Sequence, residues 1–171
     1  MIIQKATMKN EVIYSEDKSH LYLIRRVWNT SLPSAAIIMI SPSAIADEVS
    51  TDMTGMYVTN NCYKLGLGAV SILNLYSQLK DSSYGSCEEN DLIINKSCKD
   101  CDRVILAYGT GCQTKQVAKR IAEVHQLLKP YTEKLYQIAS DKGTGYHPLG
   151  AAVRHQWQLA KVILPGDSEI E

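Results

Sequence analysis

Four short runs of the chain are mainly apolar and contain no charged residue: Ala35–Ile40, Ala69–Leu73, Val104–Ala107 and Leu135–Ala139. Apolar runs of this length are typical of strands that are buried on both faces of a sheet. Segments with helical period lie between them, and such alternation favours a parallel sheet. The pattern therefore predicts an α/β fold whose mostly parallel central sheet has about four core strands.

Two segments near the N-terminus are rich in residues that favour strands. Val12–Tyr14 and His20–Trp28 flank the polar turn Ser15–Ser19, which predicts an antiparallel hairpin beside the core strands. With helices on both faces of the sheet, the expected architecture is a three-layer sandwich. We predict a single domain over residues 1–164, followed by a polar C-terminal tail at residues 165–171.

Three segments have the period of an amphipathic helix: Asp52–Leu65, Glu88–Cys101 and Gln113–Lys129. Gly66 follows the first and Pro130 the third, where a left-handed cap and a helix breaker are expected. A last amphipathic segment, Ala151–Ile163, has the same period and is predicted to pack back on the sheet.

The helical period also predicts which side chains share a face. One side of the first helix carries Met53, Met56, Tyr57 and Tyr63. The third helix has an apolar stripe of Val117, Ile121, Val124 and Leu128, opposite Lys115, Lys119, Arg120 and Glu123. Such basic clusters, like the adjacent pair Arg25 and Arg26, are typical of a solvated face.

The charge balance disfavours duplex DNA as a partner, and the apolar pattern argues against a membrane segment. Eighteen basic and eighteen acidic residues cancel, so the positive field that attracts duplex DNA is missing and duplex binding is not expected. The longest apolar stretch, Ala35–Ile40, is too short to cross a bilayer. Because Met1–Asn10 also lacks the apolar core of a signal peptide, we expect a cytoplasmic protein.

Five cysteines, an odd number, favour reduced thiols over a disulfide framework. Only Cys98 and Cys101 lie close together in the sequence, and a metal site would need further ligands at suitable spacing. No metal or cofactor is predicted, and most of the thiols are expected to be small buried groups.

Unusual segments follow each of the four predicted core strands. They are Ser41-Pro42-Ser43, Asn74-Leu75-Tyr76, Tyr108-Gly109-Thr110-Gly111 and His147-Pro148-Leu149. In an open parallel sheet the loops after successive strands gather at the carboxyl edge, where ligands bind. The sequence therefore predicts that these four segments form one site.

Each segment offers chemistry that also has a purely structural explanation. Gly109 and Gly111, with Thr110 between them, are compatible with an anion site at a helix start or with a tight turn. His147 follows the flexible run 142–145, and it is a candidate catalytic side chain or a structural hydrogen-bonding group.

Carboxylates and an amide complete the candidate chemistry. Asp47 and Asp52 are candidates for activating water or stabilising positive charge, although Asp52 is equally suited to cap a helix. Asn74 has the donor and acceptor needed to recognise a nucleobase edge, or to tie one loop to another.

Three tyrosines stand beside the predicted site and offer flat faces for stacking a planar ring. They are Tyr76, Tyr108 and Tyr146. Because the chain has ten tyrosines and no phenylalanine, some of these rings are expected to be core packing.

The order of these residues resembles a bacterial and phage family known as domain-of-unknown-function family 1643. The resemblance covers nearly the whole chain and is carried by Arg26, Trp28, Ser41-Pro42-Ser43, Ala46-Asp47, Asp52, Thr54, Asn74-Leu75, Gly109 and Gly145-Tyr146-His147-Pro148-Leu149. The chain departs from the family pattern at Ser41 (Asn in the family), Met53 (Pro) and Tyr108 (Trp), and it lacks an Arg near Gln78 and Leu79. We count Arg26, Ser41 and Ser43 among the ligand-binding candidates.

The layout is also similar, more distantly, to the uracil-DNA glycosylase superfamily. That resemblance implies a polar first-loop role for Asp47 or Asp52, base recognition by Asn74 and stabilisation of the departing base by His147. Only His147-Pro148 matches the superfamily residue for residue.

Two functions are compatible with these features. The first is an N-glycosidase-like hydrolase that binds a nucleotide, nucleoside or modified base, with a free nucleotide or exposed base favoured over duplex DNA. The second is a binder that senses or sequesters a nucleotide-derived small molecule, which the missing family Asn and Arg favour. A plain protein-interaction domain explains the fold but not the four loops, and the sequence is also compatible with a homodimer.

Overall fold

A computed structural model describes residues 1–79, 85, 87–109 and 114–164. Within these residues the strands are β1 (Lys9–Tyr14), β2 (Leu21–Val27), β3 (Ser34–Met39), β4 (Ala69–Asn74), β5 (Arg103–Leu106), β6 (Leu135–Ser140), β7 (Gly143–Thr144) and β8 (Gln158–Lys161). The α-helices are α1 (Met53–Lys64), α2 (Glu88–Asp100) and α3 (Lys115–Leu128), and a 3₁₀ helix spans Lys129–Lys134.

The strands form one mixed sheet in the order β1-β2-β4-β3-β5-β6-β7, with β8 also paired to β6. Its centre is parallel, because β3 pairs in parallel with both β4 and β5, and β5 pairs in parallel with β6. The hairpin β1-β2 joins this centre through antiparallel pairing of β2 with β4. The predicted α/β class, with a parallel centre and an N-terminal hairpin, is confirmed.

Two hydrophobic cores lie on the two faces of the sheet. On one face Val58 and Cys62 of α1 pack with Ile37 of β3. On the other face side chains of α2 and α3 pack with the neighbouring Ile38. Since successive side chains of a strand point to opposite faces, every residue of β3 after Ser34 is buried, as its continuous apolar run predicts.

The segment Ala151–Ile163 does not form the predicted helix. Residues 151–155 form turns, and Gln158–Lys161 is strand β8, antiparallel to β6. The reason is that β6 would otherwise leave the N–H and C=O groups of its outer edge unpaired, and β8 supplies their partners. The buried side chains of Val153 and Trp157 fix this segment against the sheet.

The first helix has the predicted extent but packs through a different face. Asp52 is its N-cap, and Gly66 adopts the left-handed conformation at φ 74° just after it. The predicted side of Met53, Met56 and Tyr63 is exposed, whereas Val58 and Cys62 are buried. With few large apolar residues in α1, small buried side chains rather than the largest ones determine the face that packs.

Arg120 is also not on a solvated face, contrary to the prediction. It is 3% exposed, and its Nε donates to the Leu75 carbonyl at 3.0 Å. Its terminal nitrogens form an ion pair with Asp91 of α2 and approach Glu123 at 3.5 Å. The long side chain crosses the interface between α2 and α3, so its charge is compensated inside the fold.

The cysteines of the described residues are free, and Cys62, Cys98 and Cys101 are buried as expected. Cys112 and the predicted tail 165–171 lie outside the described residues. None of the described helices has the length and apolar character required to cross a bilayer.

Replacing Arg120 by alanine is expected to lower the free energy of unfolding by about 3 kcal/mol, because it leaves Asp91 without its ion-pair partner and removes one of the two hydrogen bonds to the buried Leu75 carbonyl. The matched control is Lys119→Ala, whose exposed pair with Glu123 spans 3.8 Å and should contribute no more than about 0.5 kcal/mol. Urea unfolding of both variants measures the difference. Equal losses in the two variants would contradict a stabilising role for the pair with Asp91.

Candidate functional site

A small cavity of about 190 Å³ opens at the carboxyl edge of the parallel strands, beneath the start of α1. Its walls come from β2, β3, β4, the loop between β3 and α1, the first turn of α1, and the segment after β7. The lining residues are Leu21, Ile24, Arg26, Met39, Ser41, Pro42, Ser43, Ala46, Thr51, Asp52, Thr54, Gly55, Ile72, Asn74 and His147. Three of the four predicted segments therefore contribute to one cavity.

Arg26 and His147 approach this cavity from opposite ends. Arg26 belongs to β2, whereas His147 packs beside Gly109, which follows β5. Arg26 pairs with Val70 of β4, four residues before Asn74, so its backbone lies about 13 Å along the strand from the edge where Asn74 and His147 line the cavity. A ligand that contacts Arg26 as well as these two residues is therefore expected to be elongated along the strands.

Arg26 is a buried cation with few partners. It is 6% exposed, whereas its neighbour Arg25 points to the opposite face and is exposed. Its Nη2 donates to the Ser50 carbonyl at 3.4 Å, and its Nε has no hydrogen-bond partner in the described part of the chain. Burial lowers the pKa of Arg26, while Asp52 and Asp47 act in the opposite direction. Strand alternation thus overturns the prediction of a solvated face for this residue.

Asn74 ends β4 and is 5% exposed. Its backbone carbonyl accepts a hydrogen bond from Asn90 Nδ2 at 3.0 Å, which fixes the end of the strand against α2. Its side-chain Oδ1 is buried and has no hydrogen-bond partner within residues 1–79, 85, 87–109 and 114–164. An amide that lines a cavity with an unsatisfied oxygen is suited to accept a hydrogen bond from a ligand.

Asp52 both caps α1 and lines the cavity. Its Oδ1 accepts a hydrogen bond from the Gly55 backbone N–H at 2.7 Å. Gly55 leaves room for this cap, since a Cβ there would lie 2.7 Å from Thr51 Oγ1 and 3.1 Å from Asp52 Oδ1, so a larger residue would require these side chains to move. Both roles predicted for Asp52 are therefore compatible with one position.

Asp47 does not line the cavity. Its carboxylate accepts hydrogen bonds from the N–H groups of Val49 at 2.8 Å and Ser50 at 2.5 Å. These hydrogen bonds lower the pKa of Asp47, and the one from Ser50 has the largest effect. Asp47 thus holds the shape of its own loop, which leaves Asp52 as the carboxylate on the cavity wall.

His147 presents one ring nitrogen as a donor. Its Nδ1 accepts a hydrogen bond from the Leu149 N–H at 3.2 Å, so a neutral ring carries its proton on Nε2. Burial lowers the pKa of His147, and the charge of Asp52 partly opposes this. Gly109, at φ 90°, allows the close approach, because a Cβ there would lie 3.1 Å from the His147 Cβ.

The serines of the first segment form the rim of the cavity. Ser41 is exposed and Ser43 is half-buried. Ser43 Oγ accepts a hydrogen bond from the Ile45 N–H at 3.3 Å, which holds the bend in place.

The three tyrosines lie outside the cavity lining. Tyr76 is 3% exposed in the core beside α2 and α3, where its hydroxyl donates to the Gln116 carbonyl at 3.3 Å. Tyr108 packs on the same face, and burial of its hydroxyl raises its pKa. Tyr146 packs against the core on the cavity side. Thr110 and Gly111 lie outside the described residues.

A family model supplies the comparison that decides membership. The model described as "Protein of unknown function (DUF1643)" matches residues 22–149, well over half of the chain. The chain belongs to this family. No curated protein and no solved structure matches the chain.

Every polar lining residue falls within the part of the chain that the DUF1643 model matches. Sequence reasoning did not propose Thr51 or Gly55 as site residues and used Thr54 only for the resemblance. The sequence feature that could have identified these three residues is the stretch Thr51-Asp52-Met53-Thr54-Gly55. In it a capping carboxylate is followed three residues later by a glycine. Among the described residues, no three His, Cys, Asp or Glu side chains are grouped as a metal site would require.

The pKa of His147 is expected to lie below the ordinary histidine value of about 6.5, because burial disfavours the charged ring. Asp52→Asn should lower this pKa further, since the substitution removes the charge that favours protonation and keeps a capping side chain. An NMR titration of the imidazole measures both effects. The control is Asp47→Asn, outside the cavity, and a rise of the His147 pKa in Asp52→Asn would contradict the assigned electrostatics.

Proposed function

We propose that this chain binds a nucleotide-, nucleoside- or nucleobase-derived ligand in the cavity at the carboxyl edge of the sheet. The observation that carries the proposal is the convergence of Arg26, Asn74, Asp52 and His147 from four separate parts of the fold on one cavity. Two of these side chains bring buried polar atoms, Arg26 Nε and Asn74 Oδ1, that have no partner among the residues the structure describes. Unsatisfied buried groups are costly, and a ligand with matching donors and acceptors would satisfy them.

The size of the cavity favours a small ligand. At about 190 Å³ it is smaller than the roughly 300–1,000 Å³ typical of pockets for drug-sized molecules. Part of a nucleotide fits inside, and the remainder would extend past the rim formed by Ser41 and Ser43. The net charge of zero supports a free nucleotide or an exposed base as ligand rather than duplex DNA.

Hydrolysis of an N-glycosidic bond is the catalytic form of this proposal. Asp52 on the cavity wall would take a proton from water as the water oxygen bonds to the sugar C1′. The C1′–N bond would break with its electron pair going to the base, and His147 Nε2–H would stabilise the negative charge. The specific support is that His147 and Asp52 line the same cavity and that burial favours a neutral, donating imidazole. The distant resemblance to the uracil-DNA glycosylase superfamily agrees with these roles.

A non-catalytic binder is the alternative function. It would use the same contacts to sense or sequester the ligand. Two departures from the family pattern favour this alternative: Ser41 replaces the family Asn, and the family Arg near Gln78 and Leu79 is missing.

Analysis of co-purified ligand distinguishes the two forms. The protein is denatured, released compounds are identified by mass spectrometry, and each compound is then incubated with fresh protein. A hydrolase is expected to release a free base and a sugar product, and His147→Ala should reduce this turnover at least a hundredfold, as expected for the loss of a catalytic acid or donor. His155→Ala, an exposed histidine near α1, is the matched control and should keep full turnover.

The outcomes are separable. An unchanged ligand would support the binder, whereas full turnover in a folded His147→Ala variant would contradict the role given to His147. Failure to bind any nucleotide, nucleoside or base would contradict the proposed function in both forms.

A further inference from the structure

The guanidinium of Arg26 has no counter-group among the described residues. The side chain is 6% exposed. Where the structure describes the chain, its one hydrogen bond is the 3.4 Å contact with the Ser50 carbonyl, and its Nε is unsatisfied. Arginine stays ionised at any working pH. A buried cation without close partners is strongly unfavourable, so a fold that retains one at a cavity wall points to a group that arrives from outside.

The carboxylates of Asp52 and Asp47 do not neutralise Arg26 by direct contact. Asp52 uses Oδ1 to cap α1, and Asp47 accepts hydrogen bonds from two backbone N–H groups of its own loop. Neither forms an ion pair with Arg26 within the described part of the chain. Both act on Arg26 only at longer range, where they oppose the lowering of its pKa by burial.

The first turn of α1 lies on the same wall and adds donors. Asp52 satisfies the N–H of Gly55, and no acceptor for the N–H groups of Met53 and Thr54 is found among the described residues. The N-terminus of a twelve-residue helix carries a partial positive charge. Thr51 and Thr54 line the cavity beside it and bring hydroxyl groups.

We infer that Arg26 and the first turn of α1 form an oxyanion subsite, which binds a phosphate or carboxylate group of the ligand. The inference rests on the proposed function and specifies its ligand class. The planar guanidinium matches two oxygens of such a group, and the α1 turn supplies further donors. The ring of the ligand lies toward Asn74 and His147, at the other end of the cavity.

This assignment makes the ligand bipartite. Arg26 of β2 is aligned with Val70 of the neighbouring strand β4, four residues before Asn74, whereas Asn74 and His147 line the cavity at the carboxyl edge. A nucleoside monophosphate has a charged group and a ring at its two ends. We therefore expect nucleoside monophosphates to bind more tightly than the corresponding nucleosides.

Isothermal titration calorimetry tests the preference. The probes are the four common ribonucleosides, their 5′-monophosphates and inorganic phosphate alone. A monophosphate is expected to bind at least about tenfold more tightly than its nucleoside, as charge-assisted hydrogen bonds to an arginine provide. Inorganic phosphate is expected to compete with the monophosphate.

Variants at two adjacent arginines locate the effect. Arg26→Gln should remove the preference for monophosphates and leave nucleoside affinity within about threefold, while Arg26→Lys, which lacks the planar fork, should keep only part of the preference. The matched control is Arg25→Gln, which makes the same charge change on the opposite face of β2 and should keep the whole preference.

The melting temperature of the unliganded protein separates a ligand subsite from a structural role. Removing an uncompensated buried charge should leave the melting temperature of Arg26→Gln unchanged or raise it, although monophosphate binding is weakened. The contrary result is a large decrease of the melting temperature in Arg26→Gln that is absent in Arg26→Lys, with the ligand preference unchanged in both variants. That result would show that Arg26 is structural and would overturn the inference.

The results also distinguish this inference from the proposed function. Equal affinity for nucleosides and monophosphates would overturn the subsite and leave nucleobase binding intact. Binding of phosphate without any contribution from the base would support the subsite and contradict the proposed function. If neither phosphate nor any monophosphate binds at millimolar concentration, the oxyanion subsite is wrong.

Discussion

The parallel pairing of β3 with its two neighbours is the constraint on which the rest of the structure depends. It aligns Met39 with Asn74, and it continues beyond the strands through hydrogen bonds from Leu75 N to the Met39 carbonyl at 2.8 Å and from Ala107 N to the Ile38 carbonyl at 2.9 Å. The three chain segments therefore leave the sheet at one level. The connections after β3 and β5 lead to helices on opposite faces, which opens a crevice at this edge.

The fold was largely predictable because the core strands are buried on both faces and therefore carry continuous apolar runs. The prediction was wrong for β8, where a short amphipathic segment fits either a helix or an edge strand by periodicity alone. The segment becomes a strand because it pairs with the edge of β6, which lies about twenty residues earlier in the chain.

The site was predictable at the level of segments and less so at the level of side chains. Asn74 ends β4 and His147 lies three residues after β7, so the sheet edge fixes their location. Placing Arg26 in the cavity requires knowing which of two adjacent arginines faces the core, and the sequence Arg25-Arg26 alone does not show this. The roles of Asp47 and Asp52 depend on which backbone N–H groups each carboxylate binds. The tyrosines are core residues or neighbours of the core because a chain without phenylalanine packs with tyrosine.

The contact between Gly109 and His147 has a consequence for sequence divergence within the family. The two positions belong to different connections of the sheet, yet a Cβ at 109 would lie 3.1 Å from the His147 Cβ, and the φ of 90° there is strained for any residue other than glycine. Relatives that carry a bulkier residue at this position are therefore expected to differ in the closing histidine segment as well. Substitutions at these two sites should accumulate in pairs rather than one at a time.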